Sequence, residues 1–414
     1  MFYKYDNIMV RPTAVLLMNN LHSNFLPTRP RVLFHISDFG KGGTETALIA
    51  WLHALSRAHF KVEVCVSFPT GDLEFWRDAL PAGVPVHVLA SKRWMYALHE
   101  NRRQHKLTPH MKVVKNVLTY GVLRPLFHRK IKALARNFDV ICDFDMSLRS
   151  IAGKYDVLWL GVNHYSIATR FGGLGRKRIE RRCAQLVSYD AIAVQTSEML
   201  REGMQVFPGL ANKLTELPNI IDGDALMRRA LEPAQVPTSP YIVSVARLDE
   251  RQKDHRTLLQ AYAKLRRSGI TSCDLCIVGE GSFRGELEAL ACELGIDSTV
   301  HFVGFQSNPH PYIKGAKALV LSSRYEGFGM VLGEAMALRV PVISTDCPTG
   351  PRDLLDDGRA GLLVPVGDAL AMSAAIRRIL TDAPLRTRLV EHAFDRVKRY
   401  NPVGAAERLM ALLG

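Results

Sequence analysis

Nowhere in its 414 residues does the chain hold an apolar run near the ~18 residues that a membrane-spanning helix needs. The apolar patch close to the N-terminus, "AVLLM", is too short for the core of a secretory signal, so a cytoplasmic chain is expected. Cysteine is sparse: seven residues, an odd number, scattered from Cys65 to Cys347, which argues against a disulfide framework. Cys273 and Cys276 form one CxxC without a second pair, and "CDLCIVGEG" reads as a buried strand running into a glycine turn. Zinc or redox chemistry is therefore not expected there. Internal repeats and low-complexity tracts are missing too. Acidic residues are absent from one long stretch, 101–136, which holds ten basic ones.

That imbalance belongs to the first half. Residues 1–235 hold 32 Lys+Arg against 20 Asp+Glu, a net +12, whereas residues 236–414 hold 22 against 20, a net +2. A second basic cluster, "RKRIERR", occupies 176–182. The first half is expected to face something negative: a lipid surface, a phosphorylated acceptor or a nucleic acid. Nucleic acid is disfavoured, because stacking aromatics do not alternate with the basic residues and no binding motif occurs. Residues 108–136 instead mix Met111, Val113, Val114, Val117, Leu118, Leu123, Leu126 and Phe127 with lysines and arginines. A basic amphipathic surface of that kind binds anionic lipid, although a solvated helix face with core contacts behind it has the same composition.

With 47% hydrophobic residues and a mean hydropathy of 0.00, the chain reads as globular, and its length suggests two domains of about 200 residues each. After an N-terminal extension (1–29), "RVLFHISDF", "KVEVCVSF", "PVHVLA", "FDVICDF", "DVLWLGVN" and "YDAIAVQT" read as strands separated by helical or basic segments. The proline-containing stretch 222–239 reads as a linker. The alternation then restarts with "YIVSVARL", "CDLCIVGEG", "VHFVGF", "ALVLSS", "PVISTD" and "GLLVP". Strand alternating with helix argues for parallel sheets covered on both faces. The expected α/β fold is two doubly wound Rossmann-like domains facing across a cleft, over 30–235 and 236–400, with a last helix in 401–414 free to pack on either.

The chemistry concentrates at expected strand ends. "RYEGFGMVLGEAMA" (324–337) leaves a strand, passes Gly327 and Gly329, and enters a helix, whose free amides and dipole suit an anion. Glu326 stands at that loop and Glu334 lies in the helix. Two carboxylates flanking a phosphate pocket suit a sugar nucleotide, one for sugar hydroxyls and one for ribose hydroxyls, and two solvated glutamates are compatible with the same pattern. Upstream, "SVARLDERQKDH" (244–255) sends Arg247 and Lys253 toward the same cleft, where paired cations neutralise a diphosphate and its charge as a leaving group. "GKGG" (40–43), "IVGEG" (277–281) and "CPTGP" (347–351) are further glycine turns after strands.

Taken together, "GKGGTETALIA", "SVARLDERQKDH", "IVGEG", "FVGF", "SSRYEGFGMVLGEAMALRVPVISTD" and "GPRDLL" resemble glycosyltransferase family 4, the retaining nucleotide-sugar transferases of GT-B architecture. The match is dense over 241–367 and thinner over 31–222. The resemblance implies that Arg247 and Lys253 bind the donor diphosphate and that Glu326 holds donor-sugar hydroxyls. It places backbone amides around Phe328, Gly329, Met330 and Val331 near sugar and phosphate, and the turn glycines Gly279 and Gly281 beside the donor. It further implies that Glu334 binds the ribose diol, that Gly42 and Gly43 form the first-domain loop facing the diphosphate and acceptor, and that His164 in "GVNHYS" lies beside the reacting sugar. Ala246 stands where family members often have glycine. A UDP-linked donor and a glycan or lipid-linked glycan acceptor of cell-surface polysaccharide or lipopolysaccharide are implied, on the cytoplasmic face of the membrane. No essential metal or other cofactor is expected, since fixed cations and dipoles take that role, and "DFD" (143–145) follows a first-domain strand away from the donor motif. A soluble acceptor, a nucleic-acid-binding protein and a glycoside hydrolase using Glu326 and Glu334 are the alternatives.

Overall fold

The computed structural model describes residues 29–413 apart from 71, 104–107, 172 and 174; the expected N-terminal extension lies outside the described residues except for Arg29. Two parallel sheets organise the chain. The first contains β1 (Arg31–Ile36), β2 (Lys61–Val66), β3 (Val86–Val88), β4 (Val140–Asp143), β5 (Leu158–Asn163), β6 (Ala191–Val194) and β7 (Leu214–Glu216), in the order β3-β2-β1-β4-β5-β6-β7. The second contains β8 (Tyr241–Val245), β9 (Asp274–Val278), β10 (Val300–Gly304), β11 (Leu319–Leu321), β12 (Val342–Thr345) and β13 (Leu362–Val364), in the order β10-β9-β8-β11-β12-β13. β4, β6 and β12 are buried at every position, as continuous apolar runs covered on both faces should be.

The sequence pattern located every strand but β7, whose Leu-Thr-Glu sequence offers one apolar residue where the equally short β3, β11 and β13 offer two or three. The proposed linker over 222–239 needs correcting as well. Gly223–Ala230 is a helix, started by Asp222, whose carboxylate accepts from the Ala225 amide at 3.0 Å and also pairs with Arg57 at 2.8 Å. The helix already packs in the second sheet's core, and the stretch after it, 231–239, is the exposed segment the prolines suggested.

Each sheet has its own core. In the first, Leu48, Trp51, Leu52 and Leu55 of the helix Gly43–Arg57 meet β1 through Val32, Phe34 and Ile36, on the face that their spacing of three and four predicts. In the second, Leu258, Tyr262 and Leu265 of the helix His255–Arg267 cover Ile242 and Ile277. The helix Ala383–Val397 packs on this second half, with Leu385 and Leu389 in its core, and a turn at 398–400 then sends the chain back. The last helix, Pro402–Leu413, buries Ala405, Ala406, Leu409 and Leu413 in the first domain's core. Of the two partners open to it, it takes the first.

That return predicts a contrast within one helix. Leu409→Ala should cost about 2–5 kcal/mol in urea unfolding through lost burial and a cavity. Met410→Ala, at a position 38% exposed, should stay within about 0.5 kcal/mol of the parent.

Candidate active site

Strand order reverses between β1 and β4 in the first sheet and between β8 and β11 in the second. Crevices at such reversals, beyond the carboxyl ends of the strands, are where open α/β sheets bind ligands. The loops concerned are 37–42 after β1, 144–147 after β4, 246–254 after β8 and 322–329 after β11, and these contain most of the residues singled out from sequence. The two halves also touch here. The main chain at Gly327 presses on the His164 carbonyl so closely that a Cβ would overlap it, and a Cβ at Gly43 would lie 3.7 Å from Met330 Cγ. Lys41 Nζ sits 4.5 Å from the Phe305 ring centre and 5.4 Å from that of Phe75, bridging the halves a third time.

Arg247, Lys253 and Glu326 are brought together. Lys253 Nζ lies 2.6 Å from Glu326 Oε1, with the two side chains 14% and 8% exposed. Ser323 Oγ donates to the same carboxylate oxygen at 2.5 Å. Arg247 Nη2 donates to Gln252 Oε1 at 3.1 Å, and Gln252 Nε2 to the Tyr325 carbonyl at 3.3 Å. The loops after β8 and β11 are thus joined by side chains from both. Two charges this well shielded from water hold together only as a pair, and a ligand bringing its own negative charge could take Lys253 from Glu326 while its hydroxyls satisfy the acid.

Turns around this cluster take left-handed backbone conformations. Gly329 has φ +82° and precedes the helix Met330–Ala337, so its left-handed conformation directs the first free amides of that helix at the loop. Thr349, at φ +78°, is in a conformation a β-branched residue rarely adopts. Its Oγ1 donates to the Glu326 carbonyl at 2.6 Å and the Gly327 carbonyl at 3.2 Å, bracing the loop from behind. Sequence reasoning noticed "CPTGP" for its glycine and passed over this threonine, as it passed over Ser323 and Gln252. Gly350 serves close packing, since a Cβ there would overlap the Gly327 and Phe328 carbonyls.

Other expected residues have different surroundings. Gly279 and Gly281, read as ligand approaches, turn their bare faces to the Ala246 and Leu248 carbonyls and so fix the loop bearing Arg247. The Phe328 side chain is core, edge-on to Tyr400 with ring centres 5.2 Å apart, and Val331 packs beside that core. Gly42 caps the helix Gly43–Arg57 in extended conformation, and Glu45 accepts from the Gly40 amide at 2.9 Å. Glu334 is buried with no hydrogen-bond partner for its carboxyl among the described residues, and burial pushes its pKa up to about 7 against the pull of Arg229.

His164 reaches the cleft with its ring held by the first domain. Its Nε2 donates to the Phe144 carbonyl at 2.6 Å and its Nδ1 accepts from Gln195, while burial drives its pKa down to about 4. The ring is neutral and fully engaged, and what it offers the cleft here is its carbonyl, against Gly327. Beneath the first crevice, His35, Asp143 and Asp145 place ligand atoms within 4.8 Å of one another. The protein already uses them: Asp143 takes His35 Nδ1 (3.0 Å), the Leu148 amide (2.7 Å) and Tyr189 OH (2.5 Å), Asp145 takes the Ser37 amide (2.9 Å), and His35 Nε2 meets Ser67 Oγ (2.9 Å). The set ties together the ends of β1, β2 and β4.

The architecture is that of the GT-B glycosyltransferases: HepE from Anabaena, solved with UDP and glucose, superposes with TM-score 0.71 at 16% identity over 92% of this chain and 98% of its own. TarM from S. aureus, solved in a complex containing UDP, gives 0.73 at 12% identity over 93% and 100%. Residues 231–396, the second domain, match the family model described as "Glycosyl transferases group 1". Among sequence relatives, a diphospho-undecaprenol-linked 4-alpha-N-acetylgalactosaminyltransferase of Campylobacter jejuni is 34% identical over 226 residues, 54% of this chain and 60% of the relative. The lipopolysaccharide core biosynthesis glycosyltransferase LpsE of Rhizobium meliloti is 37% identical over 38% of this chain and 44% of its own. A lipopolysaccharide 1,6-galactosyltransferase of Salmonella typhimurium is 43% identical over 22% and 27%. The chain therefore matches about a quarter to three fifths of the length of these relatives.

The packing of Gly279 predicts that Gly279→Ala displaces the 246–248 loop. It should lose about 2 kcal/mol or more in thermal unfolding. Gly285→Ala, in a helix with open space around the new methyl, should be neutral or slightly stabilising.

Proposed function

We propose that this chain is a retaining glycosyltransferase of family 4 that moves a sugar from a nucleoside-diphosphate donor, in our reading UDP-linked, to a glycan or lipid-linked glycan in cell-surface polysaccharide or lipopolysaccharide biosynthesis. The observation that carries the reading is the Lys253–Glu326 pair, with Arg247 beside it, at the strand reversal of the second sheet and opposite Gly43 and His164 of the first. The names of the relatives support the acceptor class.

In this reading the diphosphate displaces Glu326 from Lys253, and Lys253, Arg247 and the amides that open the helix Met330–Ala337 receive the charge that grows on the leaving oxygen. Glu326, released, accepts hydroxyls of the donor sugar, and Glu334 accepts the ribose diol. No carboxylate is left free to attack the sugar. The acceptor hydroxyl attacks from the face that the diphosphate leaves, and a leaving-group oxygen takes its proton, which retains configuration without a metal. A hydrolase is disfavoured because Glu326 is neutralised by Lys253, which leaves Glu334 without a second free carboxylate to work with.

The acceptor reading draws on the basic first half. Of the apolar residues in 108–136, Leu123 and Phe127 turn inward, while Val113, Val114 and Val117 of the helix Pro109–Val117 and Tyr120 and Val122 of the π-helical turn Leu118–Leu123 are between 45% and 68% exposed. Lys112, Arg124 and Arg129 lie among them. Exposed valines ringed by cations are the chemistry of a peripheral anchor on anionic lipid, and no described helix is long and apolar enough to cross a membrane.

Glu326→Ala and Lys253→Ala should each lower sugar transfer at least ~100-fold; near-normal turnover in either rejects the assigned roles. The chain should also pellet with anionic vesicles at low salt and much less with neutral ones, and Val113→Asp with Val117→Asp should abolish pelleting. Equal recovery in both supernatants removes the membrane reading.

A further inference from the structure

The donor-side acid Glu334 has a neighbour that the reading above leaves idle. His310, at the start of the helix His310–Lys314, is 2% exposed, and its Nε2 lies 3.7 Å from Glu334 Oε2 with no hydrogen-bond partner of its own. Its tautomer is fixed from the other side. Asn308 Nδ2 donates to the Arg229 carbonyl and to Glu232 Oε2, both at 2.7 Å, so Asn308 Oδ1 is free to accept and takes His310 Nδ1–H at 2.8 Å. The neutral ring therefore aims a bare lone pair from Nε2 at the carboxyl.

We propose that His310 is a positioning residue for the diol-binding acid: before the donor binds, its Nε2 lone pair accepts a hydrogen bond from the protonated Glu334 carboxyl, which keeps its proton, and this contact orients the carboxyl for the donor. This rests on the reading of Glu334 as the acid that takes the ribose diol. An approach of 3.7 Å between two buried atoms closes to a hydrogen bond by a small rotation of the glutamate, and it does so only when one of the two holds a proton. Burial favours the neutral form of both, with Glu334 raised to about 7 and His310 lowered to about 3. A diol donates two hydroxyls and requires the ionised acid. Donor binding accordingly releases the carboxyl proton to solvent and leaves His310 neutral, one proton lost per donor bound.

Most charges on the surrounding elements are engaged elsewhere, Glu232 with Asn308 and Arg57 with Asp222 among them. Arg229, from Gly223–Ala230, acts on both members. Lys314 is turned to the Leu338 carbonyl, Asp353 and Arg396 pair with each other, His392 pairs with Asp356, Arg352 pairs with Asp346, and Glu45 is bonded to the Gly40 amide. β11 and β12 bring no charged residue.

Calorimetry with UDP-glucose, GDP-mannose and ADP-glucose tests this, because a doubly esterified diphosphate does not itself titrate near neutrality. The best-binding donor should bind about tenfold more weakly at pH 6 than at pH 8, because the acid must ionise to bind, and should release close to one proton at pH 6 in buffers of different ionisation heat. His310→Gln can donate to the ionised acid, so its affinity should change less than about threefold over that range. Wild-type affinity that is flat with pH, or a His310→Gln profile that matches wild type, overturns the proposal and leaves the donor site standing. Failure of all three donors to bind at any pH overturns the donor site and the proposal with it. The wild-type measurement decides even where His310→Gln does not fold.

Discussion

A lysine and a glutamate sharing one nearly dry position at the strand reversal of the second sheet is the constraint around which this structure is arranged. Neither charge could stand there alone. Removing either partner strands the other in a place with little water, so whatever separates them has to supply both a negative group and hydroxyl donors. Ser323 adds a hydrogen bond to the pair's acid, Gln252 ties Arg247 to the Tyr325 carbonyl beside it, and Thr349, itself held in an unfavourable backbone conformation, fixes the carbonyls behind it. The strain at Thr349 and the closeness of the pair belong to one arrangement: a loop pressed from behind so that its acid meets a lysine from another loop.

The glycines show how that pressing is done. At Gly327, Gly350, Gly279 and Gly281 the missing side chain lets main chain meet main chain, across the cleft at Gly327 and within the second domain at the other three. A ligand gains from this indirectly, because the packed loops hold Arg247, Lys253 and Glu326 in register. Gly329 alone of the loop 326–329 combines a left-handed backbone with a helix start, and it is the one whose conformation aims amides outward.

Much of this was legible in the sequence, for physical reasons that differ by residue. Parallel strands buried on both faces appear as apolar runs, so twelve of thirteen were found, and β7 was missed because Leu-Thr-Glu is not an apolar run. The convergence of Arg247, Lys253 and Glu326 follows from topology, since residues just past the ends of β8 and β11 must meet at the reversal. The direction in which each glycine's bare face points does not follow, because it depends on which loop crosses in front. His164 could be placed at a strand end, yet its engagement by Phe144 and Gln195 depends on residues distant in sequence. His310 left no signal at all: its meaning comes from a lone pair directed by Asn308, and amide orientation is invisible in a string of letters. The same limit hid the helix Gly223–Ala230, where prolines nearby outweighed the capping aspartate.

The contacts that join the halves at the cleft are of a different kind from those within them. Gly327 on the His164 carbonyl, Gly43 near Met330, Lys41 between Phe75 and Phe305, and the Ser197 amide on Asp353 at 3.1 Å are small or single-point appositions. Each half, by contrast, holds its own apolar clusters on the faces of its sheet, and Met330, packed against a cluster of each half, and the Phe75–Phe305 ring contact at 5.4 Å are apolar links between them. The last helix is bound to the first domain by four buried residues, and the chain reaches it from the second through the short turn at 398–400. Separating the cleft faces would therefore break few apolar contacts, while detaching the last helix would open a core. The covalent crossings at 217–240 and 398–402 are thus placed where they tether the halves without cementing the surfaces that a donor has to enter.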